Sequence, residues 1–382
     1  MAFLSDGTLR LALSWEQPLV LTAREHFLVG AASAATGPDG ADGGHRRRCG
    51  GNGWEKRRAR LSLAVSVPMA ATMDKPHLLI DTDPGVDDAL AILMAHAHAE
   101  VAGLGIAAGN VGLGHTVRNA RTLVDLLGAR VPVFAGCPSP LVRAPDEDAA
   151  FVHGTDGFGD VGFPEPAAPL ADEAAALALL RLTRERPGEL TLVALAPLTN
   201  LALALRLDPT LPQRVKRLVV MGGAVTGHGN TGRVPAEFNV GFDPEAAHVV
   251  FEGFPEFDLV DWEATLRHAF EDDAFDRWLA AGDRRAGFFG RVFGVARAYN
   301  ASHDRHGIVA ADALAMAVAI DPSIVTRSER RHVAVELDGR LTRGATVVDW
   351  TGRLGRPANA NVVLEVDRER FAAMVRRALG AA

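Results

Sequence analysis

Leu78-Leu79-Ile80-Asp81-Thr82-Asp83-Pro84-Gly85-Val86-Asp87-Asp88-Ala89-Leu90-Ala91-Ile92 decides how the rest of the chain is read. Its apolar start reads as a buried strand that stops at Asp83-Pro84-Gly85, and the apolar spacing resumed at Ala89, Leu90, Ile92 and Leu93 is helical. Four carboxylates therefore fall at one strand-to-helix turn. Pro84 biases Asp83 away from the helical region and Gly85 lets the backbone turn sharply, so Asp83, Asp87 and Asp88 can converge above the strand end. Like charges that close repel, and an oxygen-rich cluster suits a hard divalent cation such as Ca2+ or Mg2+. Helix capping is the structural alternative. It accounts for Asp83 and one of the following pair, but it does not need four acids.

Outward from this turn, apolar runs alternate with helical patterns. Strands are expected over 77–83, 101–108, 131–135, 190–195, 217–221 and 258–260, with helical spacing over 87–97, 116–127 and 172–186. The alternation predicts an α/β fold: a single large open, mostly parallel sheet with helices on both faces, a Rossmann-like core. In such folds ligands bind beyond the carboxyl ends of the strands, where Asp83 lies. Further on, 270–299 reads as one Phe-rich helical stretch with Phe288, Phe289 and Phe293 buried. Short strands over 333–337, 346–348 and 362–366 precede a closing helix over 367–379.

The 382 residues are 48% apolar and 23% charged, the make-up of a soluble globular protein. A formal net charge of -7 gives no reason to expect nucleic acid or an anionic membrane as partner. Cys49 and Cys137 are the only cysteines, which excludes a disulfide framework and fits a reducing, cytoplasmic setting. No run of about 18 uncharged apolar residues predicts a transmembrane helix. Residues 1–72 differ in composition and pattern from the remainder of the chain. The segment 31–53 is rich in Gly, Ala and Arg, including Arg46-Arg47-Arg48, and reads as disordered, so 1–72 is expected to be a dispensable extension of a domain over 73–382. A targeting peptide is an alternative, weakened by Asp6, Glu16 and Glu25, and a reading-frame extension with Met69 or Met73 as working start is another.

Several segments sit, like Asp83, where a strand gives way to a loop or helix. Gly109-Asn110-Val111 follows the second strand, and His153-Gly154-Thr155-Asp156-Gly157 is a glycine-spaced loop; either serves as a plain turn. In Ala194-Leu195-Ala196-Pro197-Leu198-Thr199-Asn200, Thr199 or Asn200 suits a helix cap. Met221-Gly222-Gly223-Ala224 leads through Asn230 to Ala236-Glu237-Phe238-Asn239. Glu237 and Asn239, two apart in extended backbone, would point the same way and could grip one sugar. Asp243 before Pro244 reads as a cap, and so, taken alone, does Asp312 in Val309-Ala310-Ala311-Asp312-Ala313-Leu314.

Taken together, the Asp-Thr-Asp-Pro-Gly-Val-Asp-Asp turn, the Glu237-to-Glu245 block and the Asp312 block resemble the inosine-uridine type nucleoside hydrolases, over residue 75 to the C-terminus. The resemblance implies a Ca2+-dependent enzyme that hydrolyses the N-glycosidic bond of a small-molecule ribonucleoside to free base and ribose. It implies Asp83, Asp88, the Leu195 carbonyl and Asp312 as metal ligands, and Asp83 as the base that activates water. Asp87 would accept from a ribose hydroxyl, Asn110 would lie near metal and ribose, and His153 would lie at the active-site rim. Asn230 and Glu237 would hold the 5′-hydroxyl and Asn239 a ring hydroxyl, while Asp81 braces the loop. Tyr299, Asn300 and residues 303–306 fall where the family varies its base contacts. Some members carry a histidine before the last aspartate as acid to the departing base; here Ala311 stands there. Family members are often dimers or tetramers, so the resemblance also implies a homo-oligomer. Two rival readings are a nucleoside- or ribose-binding pseudoenzyme and a haloacid-dehalogenase type phosphatase built on Asp81-Thr82-Asp83. For the latter, Lys216 is the only lysine past the motif.

Overall fold

The computed structural model describes residues 2–5, 8–11, 75–302 and 307–381. The chain divides into two units, Met1–Met69 and Ala70–Ala382. In the first, strands β1 (Ala2–Ser5) and β2 (Thr8–Leu11) pair antiparallel. The segment 31–53, with Cys49, lies outside the described residues, as do 303–306.

The second unit opens with β3 (His77–Thr82), α1 (Val86–His98), β4 (Glu100–Ile106), α2 (Leu113–Leu127), β5 (Val133–Ala135), α3 (Ala150–His153) and β6 (Leu170–Ala171). It continues with α4 (Ala175–Glu185), β7 (Leu190–Ala194), α5 (Thr199–Leu207), β8 (Arg217–Met221), α6 (Phe238–Phe242), α7 (Pro244–Gly253), β9 (Phe257–Val260) and α8 (Trp262–Arg267). Then come α9 (Asp272–Ala281), α10 (Arg284–Ser302), α11 (Ala311–Ile320), β10 (Val325–Arg331), the hairpin of β11 (Val333–Val335) and β12 (Thr346–Val348), β13 (Ala360–Val366) and α12 (Arg368–Leu379).

Nine strands form one sheet in the order β10-β13-β9-β8-β7-β3-β4-β5-β6, parallel throughout except where β10 runs against β13. The alternating side-chain directions of a strand explain how both faces are covered. Leu78 and Ile80 of β3 enter a core cluster with α1, α10, α11 and α12, while Leu79 enters a second one with α4, α5 and α7. β3 lies near the middle of the sheet, so its carboxyl end opens onto the loops after β4, β7 and β8. No helix among the described residues is long and apolar enough to cross a membrane.

Two strands escape the apolar pattern, one because it is polar and one because it is short. β10, Val-Thr-Arg-Ser-Glu-Arg-Arg, is an edge strand whose charges protect an open hydrogen-bonding edge, and β6 has two residues. The expected helix over 270–299 is two helices, broken between Ala281 and Arg284, where the Asp283 N–H donates to the Leu379 carbonyl (3.1 Å). Phe270 pairs as an isolated bridge with Ile308, outside both helices. Phe288, Phe289 and Phe293 are buried as the pattern predicts.

Candidate active site

β3 ends at Thr82 and α1 begins at Val86, so Asp83, Pro84 and Gly85 form the turn. Asp88 reaches back over it. Its carboxylate accepts from the Gly85 N–H (3.0 Å), from the Asn110 side chain (3.0 Å) and from the Thr82 hydroxyl. Capping therefore explains part of Asp88. Asn110, from the loop after β4, also donates its N–H to Asp83 Oδ2 (2.7 Å) and its amide to the Asp83 carbonyl (3.1 Å). Gly85 is required by close approach, since a Cβ there would stand 2.7 Å from His153 Nδ1 and 2.8 Å from Asn110 Nδ2.

α11, packed against α1, brings in Asp312. Asp87, Asp88 and Asp312 each offer an oxygen within 4.8 Å of the others. Asp83 lies beside this triplet and its Oδ1 is buried without a partner. Burial pushes Asp83 and Asp312 well above the usual carboxylate range, and the like charges of Asp87 and Asp88 push both in the same direction. Asp88 is raised by burial and then by Asp87. Buried acids with an unused oxygen and no cationic side chain among them are stable when a cation compensates them, and an oxygen-only donor set fits a hard divalent ion.

Above the acids lies a cavity of about 460 Å³. Asp87, Asn110, His153, Leu195, Asn230 and Glu237 line it, with Asn239 and Asp312, whereas Asp83 and Asp88 sit beneath its floor. Tyr299 and Asn300 also line it. Phe151, Phe238, Trp262 and Phe293 supply aromatic wall, and Phe151 packs on Tyr299 with ring centroids 5.2 Å apart.

Glu237 and Asn239 reach the cavity by a route other than the pleat expected of them. Glu237 is the N-cap of α6, and Asn239 is already inside that helix. The five-residue helix needs its orphan N–H groups satisfied, and the Glu237 carboxylate accepts from Asn239 N (3.0 Å), Val240 N (3.2 Å) and Gly223 N (2.8 Å). Asn239 then donates its amide to the Leu195 carbonyl (2.8 Å), and the Asn230 side chain accepts from Phe238 N (2.8 Å). Burial pushes Glu237 up to about 7. The native state thus holds a proton that the unfolded chain releases near pH 4.5, so this group's stabilisation is lost as pH rises toward 7. The term is on the order of 3 kcal/mol at one pKa unit per 1.36 kcal/mol. Glu237→Gln is expected to flatten the fall in urea midpoint between about pH 5 and pH 7.5; an unchanged pH slope would show that Glu237 stays ionised throughout.

Thr199 and Asn200 do not cap α5, which starts after Leu198 without a side-chain cap. Tertiary partners take both. The Thr199 hydroxyl donates to Asp243 Oδ2 (2.7 Å), while Asp243 also caps α7 through Ala246 N (3.1 Å), as its place before Pro244 suggests. Asn200 donates to Asp81 Oδ1 (2.9 Å) and accepts from Cys137 N (2.8 Å), so Asp81 braces β3 against α5. His153 accepts the Val86 N–H at Nδ1 (3.0 Å), and burial pushes it down to about 4. It is therefore a neutral imidazole with its proton on Nε2. Residues outside the quoted motifs include Phe151 and His228, which line the cavity, and Glu263, which pairs with His228. For Glu263 a signal was present, because it follows the carboxyl end of β9, where this fold places ligands.

An oxygen-lined floor, amide and carboxylate walls and aromatic rings suit a polyhydroxylated ligand bearing a flat ring. The family profile described as "Inosine-uridine preferring nucleoside hydrolase" matches residues 78–373. The inosine-uridine preferring nucleoside hydrolase of Leishmania major is 37% identical over 310 residues, spanning 79% of this chain and 96% of that protein. The non-specific ribonucleoside hydrolase RihC of Salmonella enteritidis is 37% identical over 297 residues, spanning 77% and 94%. Among solved structures, an inosine-guanosine nucleoside hydrolase superposes with a TM-score of 0.74 at 36% identity, covering 80% of this chain and 98% of that one. A purine-preferring ribonucleoside hydrolase from Gardnerella vaginalis gives 0.73 at 31% identity, covering 80% and 99%. The chain belongs to the inosine-uridine preferring nucleoside hydrolase family. It is a ribonucleoside hydrolase, an enzyme acting on N-glycosyl bonds. Lys216, the residue a phosphatase reading would need, precedes β8 and so lies at the opposite end of the parallel sheet from Asp83.

Proposed function

We propose that the protein hydrolyses the N-glycosidic bond of ribonucleosides to free base and ribose in a Ca2+-dependent reaction, with Asp83 taking the proton of the attacking water. The observation that carries this reading is the buried, unpartnered Asp83 Oδ1 beside Asp87, Asp88 and Asp312, under the cavity that Asp87 and Asp312 line. Asp83, Asp88, Asp312 and the Leu195 carbonyl would hold the ion. When bound, it neutralises the clustered carboxylates and supplies a template for the ribose hydroxyls.

The chain's own residues do the rest. An N-ribosidic bond breaks through a ribose with oxocarbenium character, and carboxylates around the sugar favour that charge. Asp83 has one oxygen fixed by Asn110 N and one left over for the water proton. Beside a cation it is a carboxylate, the form a base requires. Asp87, half-buried in the cavity wall, accepts from a ribose hydroxyl. Glu237 and Asn230 grip the 5′-hydroxyl, Asn239 and Asn110 orient the ring hydroxyls, and His153 offers its Nε2 proton as a donor. The aromatic wall stacks on the base. Among the described residues that line the cavity there is no Lys or Arg to balance a phosphate, which favours nucleosides over nucleotides.

The test is release of reducing sugar from inosine, uridine, guanosine and adenosine by the purified protein. Release of free ribose from at least one, abolished by a Ca2+ chelator, is the expected result. No release from any of the four with Ca2+ present, or release indifferent to chelation, would overturn the reading.

A further inference from the structure

When the C1′–N bond breaks, its electron pair leaves with the base, and a nucleobase departs far more readily if a proton arrives with the electrons. Ala311 cannot supply one. His153 has its Nδ1 occupied by Val86 N–H and is kept neutral by burial. Water attacking from the Asp83 side expels the base on the opposite side of C1′. In a β-ribonucleoside the base and the 5′-carbon share that side of the ribose, and the loop after β8 carries Asn230, the cavity residue read above as holding the 5′-hydroxyl.

This loop carries His228, an exposed side chain that lines the cavity. Its Nδ1 stands 3.2 Å from Glu263 Oε1 and 3.1 Å from the Thr226 hydroxyl. Glu263, only 8% exposed in its side chain, also accepts from Thr226 N (2.8 Å), the Thr226 hydroxyl (2.7 Å) and His228 N (3.0 Å). Burial alone would raise Glu263, but these hydrogen bonds hold it below the usual range, so it is a carboxylate at neutral pH. Gly227 at φ +86° makes the turn that places the imidazole over it. With Nδ1 turned to a buried carboxylate, Nε2 is the ring nitrogen available to a ligand in the cavity that His228 lines. A carboxylate that orients an imidazole is the arrangement of an acid–base pair.

We propose that His228, oriented by Glu263, is the general acid of the reaction, passing its Nε2 proton to the departing base. The proposal rests on the reading of Asp83 as base. As the C1′–N bond breaks, its electron pair stays on the base and takes the His228 proton. The water oxygen bonds to C1′ and its proton goes to Asp83. Exchange with solvent then returns a proton to His228 and removes one from Asp83, so the net reaction is hydrolysis.

The test compares inosine with p-nitrophenyl β-D-ribofuranoside, whose leaving group departs as a stable anion and needs no acid. In His228→Ala, kcat on inosine is expected to fall about 10²- to 10³-fold while kcat on the p-nitrophenyl riboside stays within about threefold of wild type. Glu263→Gln is expected to show the same selectivity with a smaller loss. Equal losses on both substrates would make His228 a binding or loop-holding residue, and an unchanged rate on inosine would remove it from the chemistry; either overturns the proposal. A wild type that turns over neither substrate overturns the Asp83 reading and this inference with it, whereas failure of the inference alone leaves wild type active on both.

Discussion

Asp83→Ala is expected to lose nearly all turnover while the protein stays folded. A positioned general base contributes typically about 10²- to 10⁴-fold, and the variant also loses one of the proposed metal ligands, so the loss should lie at the upper end. The fold should survive because two structural effects oppose each other. Removing the carboxylate leaves the Asn110 N–H without its 2.7 Å acceptor, a cost of about 1–3 kcal/mol for a buried donor. It also removes a buried charge that Asp88 and Asp87 repel. The circular dichroism spectrum and thermal midpoint should therefore stay near wild type while kcat collapses. A folded variant that keeps more than about a tenth of wild-type kcat would take Asp83 out of the role of base.

Asp312→Asn should separate metal binding from folding. In the wild type, burial and the charges of Asp87, Asp88 and Asp83 all disfavour ionised Asp312, so at neutral pH the metal-free protein must either hold a proton there above the ordinary carboxylate range or carry that repulsion. The amide removes that repulsion at nearly constant shape, and the metal-free variant should melt at or above the wild-type midpoint. Ca2+ should reverse the order. An ion that binds only the native state at a hundred times its Kd stabilises by about 2.7 kcal/mol, worth roughly 5 °C or more in a domain of this size. The wild type should show that rise and the variant should lose most of it. Equal Ca2+-induced shifts in both proteins, or equal affinities by calorimetry, would remove Asp312 from the ligand set.

What the sequence disclosed depended on how local the physics was. The turn at Asp83 was legible because strand, Pro-Gly turn, acids and helix are contiguous, and the parallel sheet followed from apolar runs alternating with helical ones. The polar edge strand β10 escaped because its side chains face water and leave no apolar trace. The break after Ala281 escaped because it depends on a carbonyl of α12 far along the chain. Glu237 and Asn239 were placed in the cavity by spacing that assumes extended backbone, whereas a helix cap performs the placement. Asn200 looked like a cap and instead reaches Asp81, 119 residues away. His228 and Glu263 are 35 residues apart and join no motif, so folding alone brings them together.

These carboxylates are proposed to work as a Ca2+ site. The most direct measurement strips the protein with a chelator, removes the chelator, and titrates Ca2+ back while heat of binding and ribose release from inosine are followed on the same sample. The account predicts negligible release from the stripped protein and a rate that climbs with occupancy to a plateau at one Ca2+ per chain. Full turnover by stripped protein with no ion bound would contradict it.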